Sequence, residues 1–234
     1  MEEACEQMCS NQSDKKPSLA IIDLGLVTFE EGRRRQQQLI EDCRSGRGDE
    51  GLLFCEHFSI VTSGTRSRRE GVGLAGKLLE NAGIEMVEVD RGGRLTWHGP
   101  GQIVVYPVIS LKKRGFGVRD FVTAGLDAFK NVVKKFGVEA DSNLEDAGVW
   151  IVSSFGERLK IASVGLKIEQ GYSNHGFSFN CDCDLSVYKL FSPCGFSGEV
   201  ITSLSAELRK LGKGVPDKVE LKRLVASELM RSLS

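Results

Sequence analysis

The thiol of Cys194 stands between Pro193 and Gly195 in Ser192-Pro-Cys-Gly195. Proline restrains its own φ and glycine frees the residue it occupies, so the segment predicts a sharp bend that carries the cysteine. A nucleophilic thiol needs such presentation. A lone cysteine is equally compatible with inert packing, and the local residues leave both readings open. Lys160 opens a second segment, Lys160-Ile-Ala-Ser-Val-Gly165, continuing to His175-Gly-Phe-Ser178. Its apolar and small neighbours put a cation at the start of a buried strand. A lysine there either snorkels to water from a sheet edge or is held beside a reacting group. The third segment is Arg91-Gly-Gly-Arg-Leu-Thr-Trp-His-Gly-Pro-Gly-Gln102, with four glycines and a proline in twelve residues. It cannot be regular helix. It is either a loop that aims backbone N–H groups inward or a tight surface turn before a strand. It lacks the Gly-Lys-Ser/Thr ending of a phosphate loop and the spacing of a dinucleotide fingerprint.

Weaker candidates surround these. Cys181-Asp-Cys183 suggests a metal, but two thiols without a second ligand pair are too few for a structural zinc site, and core packing explains them better. No metal is expected. Cys5 and Cys9 fall near the start of the chain, in residues 1–16, which show no apolar periodicity and read as a disordered leader. His98 and His175 suit the orientation of an amide or of a carrier-protein group, and His175 equally suits a hydrogen-bonded core. His57 carries no signal of its own.

The elements that must position these residues follow from periodicity. Ser18 to Leu24 reads as a first strand. Thr28 with Glu31 three residues on forms a capping box that opens a polar helix through about Cys43. Leu52 to Cys55 and Ile60 to Thr62 read as short strands, Leu74 to Ala82 as a helix, and Ile84 to Val89 as a buried-type strand. Ile103 to Ile109 is again strand. Val122, Leu126, Phe129, Val133 and Phe136 recur at helical spacing, which predicts an amphipathic helix over Val118 to Phe136. Strands are expected at Gly148 to Val152, Lys160 to Ile168 and Gly176 to Asn180. A closing helix runs from Asp217 to Leu233, with Val219, Leu224, Leu229 and Leu233 mostly on one face. Strands and helices mix without a βαβ rhythm, so the expected class is α/β in the α+β sense. A central mixed sheet flanked by helices would form one domain over residues 17–234.

Composition excludes several functions. Lysine and arginine total 31 against 32 acidic residues, a net charge of −1, which argues against a nucleic-acid binder with a concentrated basic surface. No apolar run reaches the roughly 18 residues of a membrane span. Seven irregularly spaced cysteines and no secretory or transit-type opening point to free thiols in a reducing compartment, with the cytoplasm expected.

Taken together, the three segments resemble the octanoyl-carrier-protein:protein octanoyltransferases, also called the lipoate-protein ligase B family. The resemblance rests on Arg91 to Gln102 with Val104 to Pro107, Lys160 to Gly165, His175 to Asn180 with Asp184-Leu185, and Pro193-Cys194-Gly195 followed by Thr202-Ser203-Leu204. It implies the fold of biotin and lipoate protein ligases. It also implies a catalytic dyad in which Cys194 becomes an acyl-thioester and Lys160 lowers its pKa. The acyl-substrate contacts it implies fall on Arg91, Gly92, Gly93, Arg94, Leu95, Thr96, Trp97 and His98, on Ser163, Val164 and Gly165, and on Gly176, Phe177 and Ser178. The implied donor is an octanoyl acyl carrier protein. The implied acceptors are lipoyl domains of 2-oxoacid dehydrogenase E2 subunits and the glycine cleavage H protein, with no cofactor and no ATP. One departure stands out. After Glu56-His57 the family usually carries Pro-Pro, whereas this chain carries Phe58-Ser59. Two rivals stay open, an ATP-dependent lipoate ligase of the same fold and a non-catalytic module that binds lipoyl domains or acyl carriers. Arg66, Arg68, Arg69 and Lys112, Lys113, Arg114 are candidate basic patches for docking an acidic carrier.

Overall fold

The computed structural model describes residues 19–152, 156–191 and 200–234. The leader expected at residues 1–16 and the bend carrying Cys194 lie outside these. Among the described residues, ten strands build two sheets. The strands are β1 (Ala20–Val27), β2 (Gly51–His57), β3 (Ile60–Ser63), β4 (Glu85–Glu88), β5 (Leu95–His98), β6 (Gln102–Val108), β7 (Ala140–Asn143), β8 (Gly148–Val152), β9 (Arg158–Glu169) and β10 (Tyr172–Asn180). Seven of them form the central sheet in the order β1-β2-β6-β10-β9-β8-β7, and the other three form a small sheet in the order β4-β3-β5. Both are mixed: β1 lies parallel to β2 and β3 parallel to β4, while every other pairing is antiparallel.

The helices are α1 (Phe29–Arg44), α2 (Thr65–Glu70), α3 (Gly73–Asn81), α4 (Leu111–Arg114), α5 (Val118–Lys135), α6 (Leu204–Lys210) and α7 (Lys218–Leu233). Thr28 caps α1 as expected, its hydroxyl accepting from the Glu31 N–H at 3.1 Å. The Glu31 carboxylate turns to Arg34 instead of reaching back to complete the box. On one face of the central sheet α1 packs Ile40 and Cys43 against Leu53, Val104 and Tyr106. On the other, α5 and α7 bury Phe121, Leu126, Phe129, Leu221, Val225 and Leu229 in the main core. Gly125 weakens α5 intrinsically, but a Cβ there would stand 2.2 Å from the Phe177 ring, so the glycine is what lets α5 seat on β10.

Three expectations need correction. Ile84 to Val89 is not a buried strand: β4 is an edge of the small sheet, with Glu85 and Glu88 exposed. The buried face of α7 centres on Leu221, Val225, Leu229 and Leu233, whereas Val219 is 56% exposed. Arg114 is no docking residue, because it is buried and paired with Glu50 at 2.6 Å. Arg66, Arg68, Arg69, Lys112 and Lys113 are exposed. Ser59, where the family favours proline, accepts a hydrogen bond from the Trp97 indole at 3.0 Å and so ties the β2–β3 turn to β5.

Candidate active site

The sheet order decides the reading of Lys160. β9 lies between β10 and β8, so Lys160 is no edge residue, and it is 2% exposed. Its Nζ donates to the carbonyl of Asp146 at 2.6 Å and of Ala147 at 3.4 Å, and lies 4.7 Å from the centre of the Trp150 ring. A buried ammonium is tolerable only with such partners. The turn between β7 and β8 is shaped to supply them. Asn143 accepts from the Asp146 N–H at 2.9 Å, and Ala147 sits at φ +31°, a conformation L residues seldom adopt. Strain of this kind concentrates at functional sites, where surrounding contacts hold it. Gly148 follows, and a Cβ there would stand 2.8 Å from the Lys160 Cε. The backbone of Lys160 also meets the chain that resumes after the undescribed segment. It pairs with Ile201 in a parallel bridge and accepts from the Thr202 N–H at 3.0 Å.

A narrow cleft opens beside this strand and holds about 350 Å³ of space between atoms, open solvent at its mouth included. Nine of the residues expected at the acyl site line it: Arg91, Thr96, His98, Ser163, Val164, Gly165, Gly176, Phe177 and Ser178. The other five do not. Leu95 and Trp97 alternate with Thr96 and His98 along β5, so the period of two sends them into the core of the small sheet. Arg94 points outward to Glu70 at 2.7 Å, and Gly92 and Gly93 are not part of the lining. The glycine-rich segment is therefore half strand, not a bare loop. Its N–H groups are partly taken, that of Gly92 by the Leu166 carbonyl at 3.0 Å and that of Gly101 by Glu56 at 2.8 Å.

Sequence reasoning missed Phe29, Val104 and Tyr106, which also line the cleft. Val104 and Tyr106 fall within the Val104 to Pro107 part of the resemblance, but nothing local marks any of the three as cleft wall, since they come from the first residue of α1 and from the face of β6 that α1 covers. His57, unremarkable in the sequence, is fully buried beneath them. Its Nε2 lies 2.8 Å from the Tyr106 hydroxyl and its Nδ1 3.2 Å from the Val27 carbonyl. His175 adopts φ +60° on β10, lines the cleft and places Nε2 2.7 Å from Asp90. Asp90 also takes Lys167 at 2.9 Å, so one carboxylate ties the start of the glycine-rich segment to β9 and β10. Burial works against the charge of Asp90, but the hydrogen bonds from His175 and Lys167 outweigh it and hold the carboxyl well below its usual range.

Among the described residues, burial raises the pKa of every cysteine thiol. Cys43 goes up to about 11, Cys183 to about 12, and Cys55 and Cys181 well above the ordinary range. Such thiols are poor nucleophiles near neutral pH. No group of three or more metal-ligating side chains occurs among the described residues. No described helix is long and apolar enough to cross a membrane.

All three histidines shift downward. Burial is the main cause for His57 and His175, in the latter against the pull of Asp90, and burial with the nearby His57 takes His98 down to about 3. An unfolded chain would protonate these imidazoles from about pH 6.5 downward. The native state binds fewer protons over that window, so stability falls as pH drops below about 6.5, and for His98 the window reaches to about 3. Urea midpoints measured from pH 7.5 to 4.5 should decline accordingly, and His98→Gln should flatten the decline. An equally steep decline in the variant would mean that His98 is charged in the native protein.

Comparisons with known proteins bear on the fold and the family. The family described as "Lipoyl protein ligase A/B catalytic domain" matches residues 30–221. A protein named octanoyltransferase from Desulfotalea psychrophila is 35% identical over 188 residues, covering 80% of this chain and 83% of that protein. Among solved structures, a lipoate-protein ligase A with ATP bound superposes with a TM-score of 0.65 at 15% identity, over 93% of this chain and 85% of that one. The biotin protein ligase of Aquifex aeolicus reaches 0.51 at 10% identity, over 92% and 69%. These two likenesses show the fold, a mixed sheet flanked by helices, as the sequence led us to expect. The family match and the sequence relative establish that the chain belongs to the lipoyl protein ligase A/B catalytic domain family.

Proposed function

We propose that this protein takes an octanoyl group from the thioester of an acyl carrier protein, holds it on Cys194, and passes it to the ε-amine of a lysine in lipoyl domains, those of 2-oxoacid dehydrogenase E2 subunits and the glycine cleavage H protein. The observation that carries the reading is the buried Lys160. It is held by the Asp146 and Ala147 carbonyls, and its backbone is bridged to Ile201, seven residues beyond Cys194 in sequence. In the first step the Cys194 thiolate attacks the donor carbonyl and the carrier sulfur leaves as a thiolate, which takes up a proton from water. One thioester replaces another, so no ATP is needed. In the second, the lysine amine attacks the acyl-enzyme, an amide forms, and the thiol of Cys194 is released. The acceptor lysine is an ammonium in water, with a pKa of about 10.4, and must shed one proton to solvent before it attacks and a second as the amide forms. Lys160 gives its own proton to the leaving sulfur and takes up that second proton from the attacking nitrogen.

The cleft gives the acyl chain apolar wall from Val104, Val164, Phe177 and Phe29. A thiol nucleophile suits a reducing compartment, and we place the protein in the cytoplasm. The nearest rival, an ATP-dependent ligase, shares the fold, but the relative at 35% identity bears the octanoyltransferase name. Intact-protein mass separates the readings. Octanoyl carrier protein alone should add one octanoyl group, removable by hydroxylamine. Cys194→Ala should abolish it, and Cys181→Ala and Cys183→Ala should keep it. Loading that requires ATP, or that survives Cys194→Ala, overturns the proposal.

A further inference from the structure

A buried chain of side-chain amides runs from the cleft wall to the backbone of Lys160. His98 Nδ1 lies 2.7 Å from Gln102 Oε1, and Gln102 Nε2 lies 2.9 Å from Asn180 Oδ1 and 3.2 Å from the Trp97 carbonyl. Asn180 Nδ2 then reaches the Thr202 carbonyl at 3.0 Å, while the Thr202 N–H donates to the Lys160 carbonyl at 3.0 Å. Every side chain in the relay is buried, Gln102 completely. Buried amides have to satisfy both ends, because an orphaned donor or acceptor costs about 1–3 kcal/mol.

The direction of this relay follows from its two ends. The Trp97 and Thr202 carbonyls can only accept, so Gln102 and Asn180 must turn their NH₂ groups toward them. That leaves Asn180 Oδ1 to accept from Gln102 and Gln102 Oε1 to accept from His98. His98 must therefore carry its proton on Nδ1. Among the described residues no hydrogen-bond partner approaches its Nε2. The imidazole is neutral, being held down to about 3 by burial and by His57.

We propose that Gln102 and Asn180 are positioning residues. They lock His98 as the Nδ1–H tautomer with Nε2 a bare acceptor, and through Thr202 they hold the returning chain in register with Lys160. The second half of this statement rests on the catalytic reading of Lys160, while the first does not. Neither Gln102 nor Asn180 lines the cleft, so each acts through a neighbour. Removing one proton from the relay should slow the chemical step and leave substrate capture intact, since a small misplacement of reacting groups costs rate.

Two isosteric variants and one spectrum test this. Asn180→Asp keeps the acceptor toward Gln102 and loses the donor toward Thr202. Its rate constant for octanoyl loading at saturating octanoyl carrier protein should fall at least tenfold, with the half-saturating concentration within twofold of wild type. Gln102→Glu, which loses both donors, should also slow loading at least tenfold. Nitrogen-15 correlation spectra of wild type should show His98 protonated on Nδ1 only. Wild-type loading rates in both variants, or an Asn180→Asp defect that lies wholly in half-saturation, overturn the positioning role. A proton on Nε2 overturns the polarity of the relay. If either variant fails to fold, the other and the wild-type spectrum still decide. If wild type never loads an acyl group, the catalytic reading fails, and the spectrum still judges the tautomer.

Discussion

Lys160→Met should reduce acyl transfer to a lipoyl-domain lysine by about 10²–10⁴, the range that a positioned acid–base group contributes. Methionine replaces the four-atom apolar stem of lysine without its ammonium and lies easily against Trp150, so the loss comes from the ammonium and not from packing of the stem. The carbonyls of Asp146 and Ala147 lose a donor, which costs about 1–3 kcal/mol and leaves the fold measurable. Alkylation of Cys194 by iodoacetamide at pH 7 should slow much less. An unperturbed thiol with pKa near 8.5 is about 3% thiolate there. Lowering that pKa gains thiolate but loses intrinsic nucleophilicity, with a Brønsted slope of roughly 0.4–0.5. The variant's alkylation midpoint should move to higher pH, and transfer should fall further than alkylation, because only transfer needs the proton relay. The midpoint belongs to the coupled pair of groups. Overlaid alkylation profiles together with normal transfer would reduce Lys160 to a packing residue.

Gly176→Ala should cost about 3 kcal/mol and lower Tm by roughly 6–12 °C. The Cβ it adds would stand 2.0 Å from the Val105 carbonyl oxygen and 2.9 Å from the Pro107 ring. Both belong to β6, the neighbour of β10, so neither can swing aside and the strands must part at the cleft. Gly165 differs in kind. A Cβ there meets the Arg91 Cδ at 2.8 Å, the side chain that reaches across to Thr62. Gly165→Val should therefore disturb the cleft wall and weaken turnover while the protein stays folded. Gly214→Ala, with nothing within 4 Å, serves as the neutral control. Thermal melts and steady-state kinetics on the three variants read both effects. A Gly176→Ala melt within 2 °C of the control would mean that the β6–β10 contact is looser than the 2.0 Å approach to the Val105 carbonyl implies.

Much of the architecture was legible from local pattern. The 3.6-residue period of α5, the N-cap at Thr28 and the strands around Lys160 all depend on neighbours a few residues apart, and the structure repeats them within four residues, the largest difference being the start of β10 at Tyr172. Legibility stopped where a segment's surroundings mattered. α7 carries apolar residues on more than one side, and only its docking against α5 selected Leu221, Val225 and Leu229 over Val219. In the glycine-rich segment the density of glycine hid the four-residue strand β5, which forms because β3 is there to pair with it. Phe29, Val104 and Tyr106 gave no sign of lining the cleft because a cleft wall is assembled across distant parts of the chain.

By itself, then, the sequence determined the chemistry on offer. A thiol between proline and glycine, a lysine opening a strand and a glycine-rich segment are properties of residue type and near-neighbour order. The resemblance those motifs carry led to the family. Only the tertiary structure decided that Lys160 is an interior cation and not an edge lysine reaching for water. That depends on β8 and β10 flanking β9, and on a strained turn far from it in sequence turning two carbonyls inward. The reason is physical: burial and hydrogen-bond partnership are set by long-range strand pairing, and a residue's own neighbours in sequence do not encode which strands will flank it.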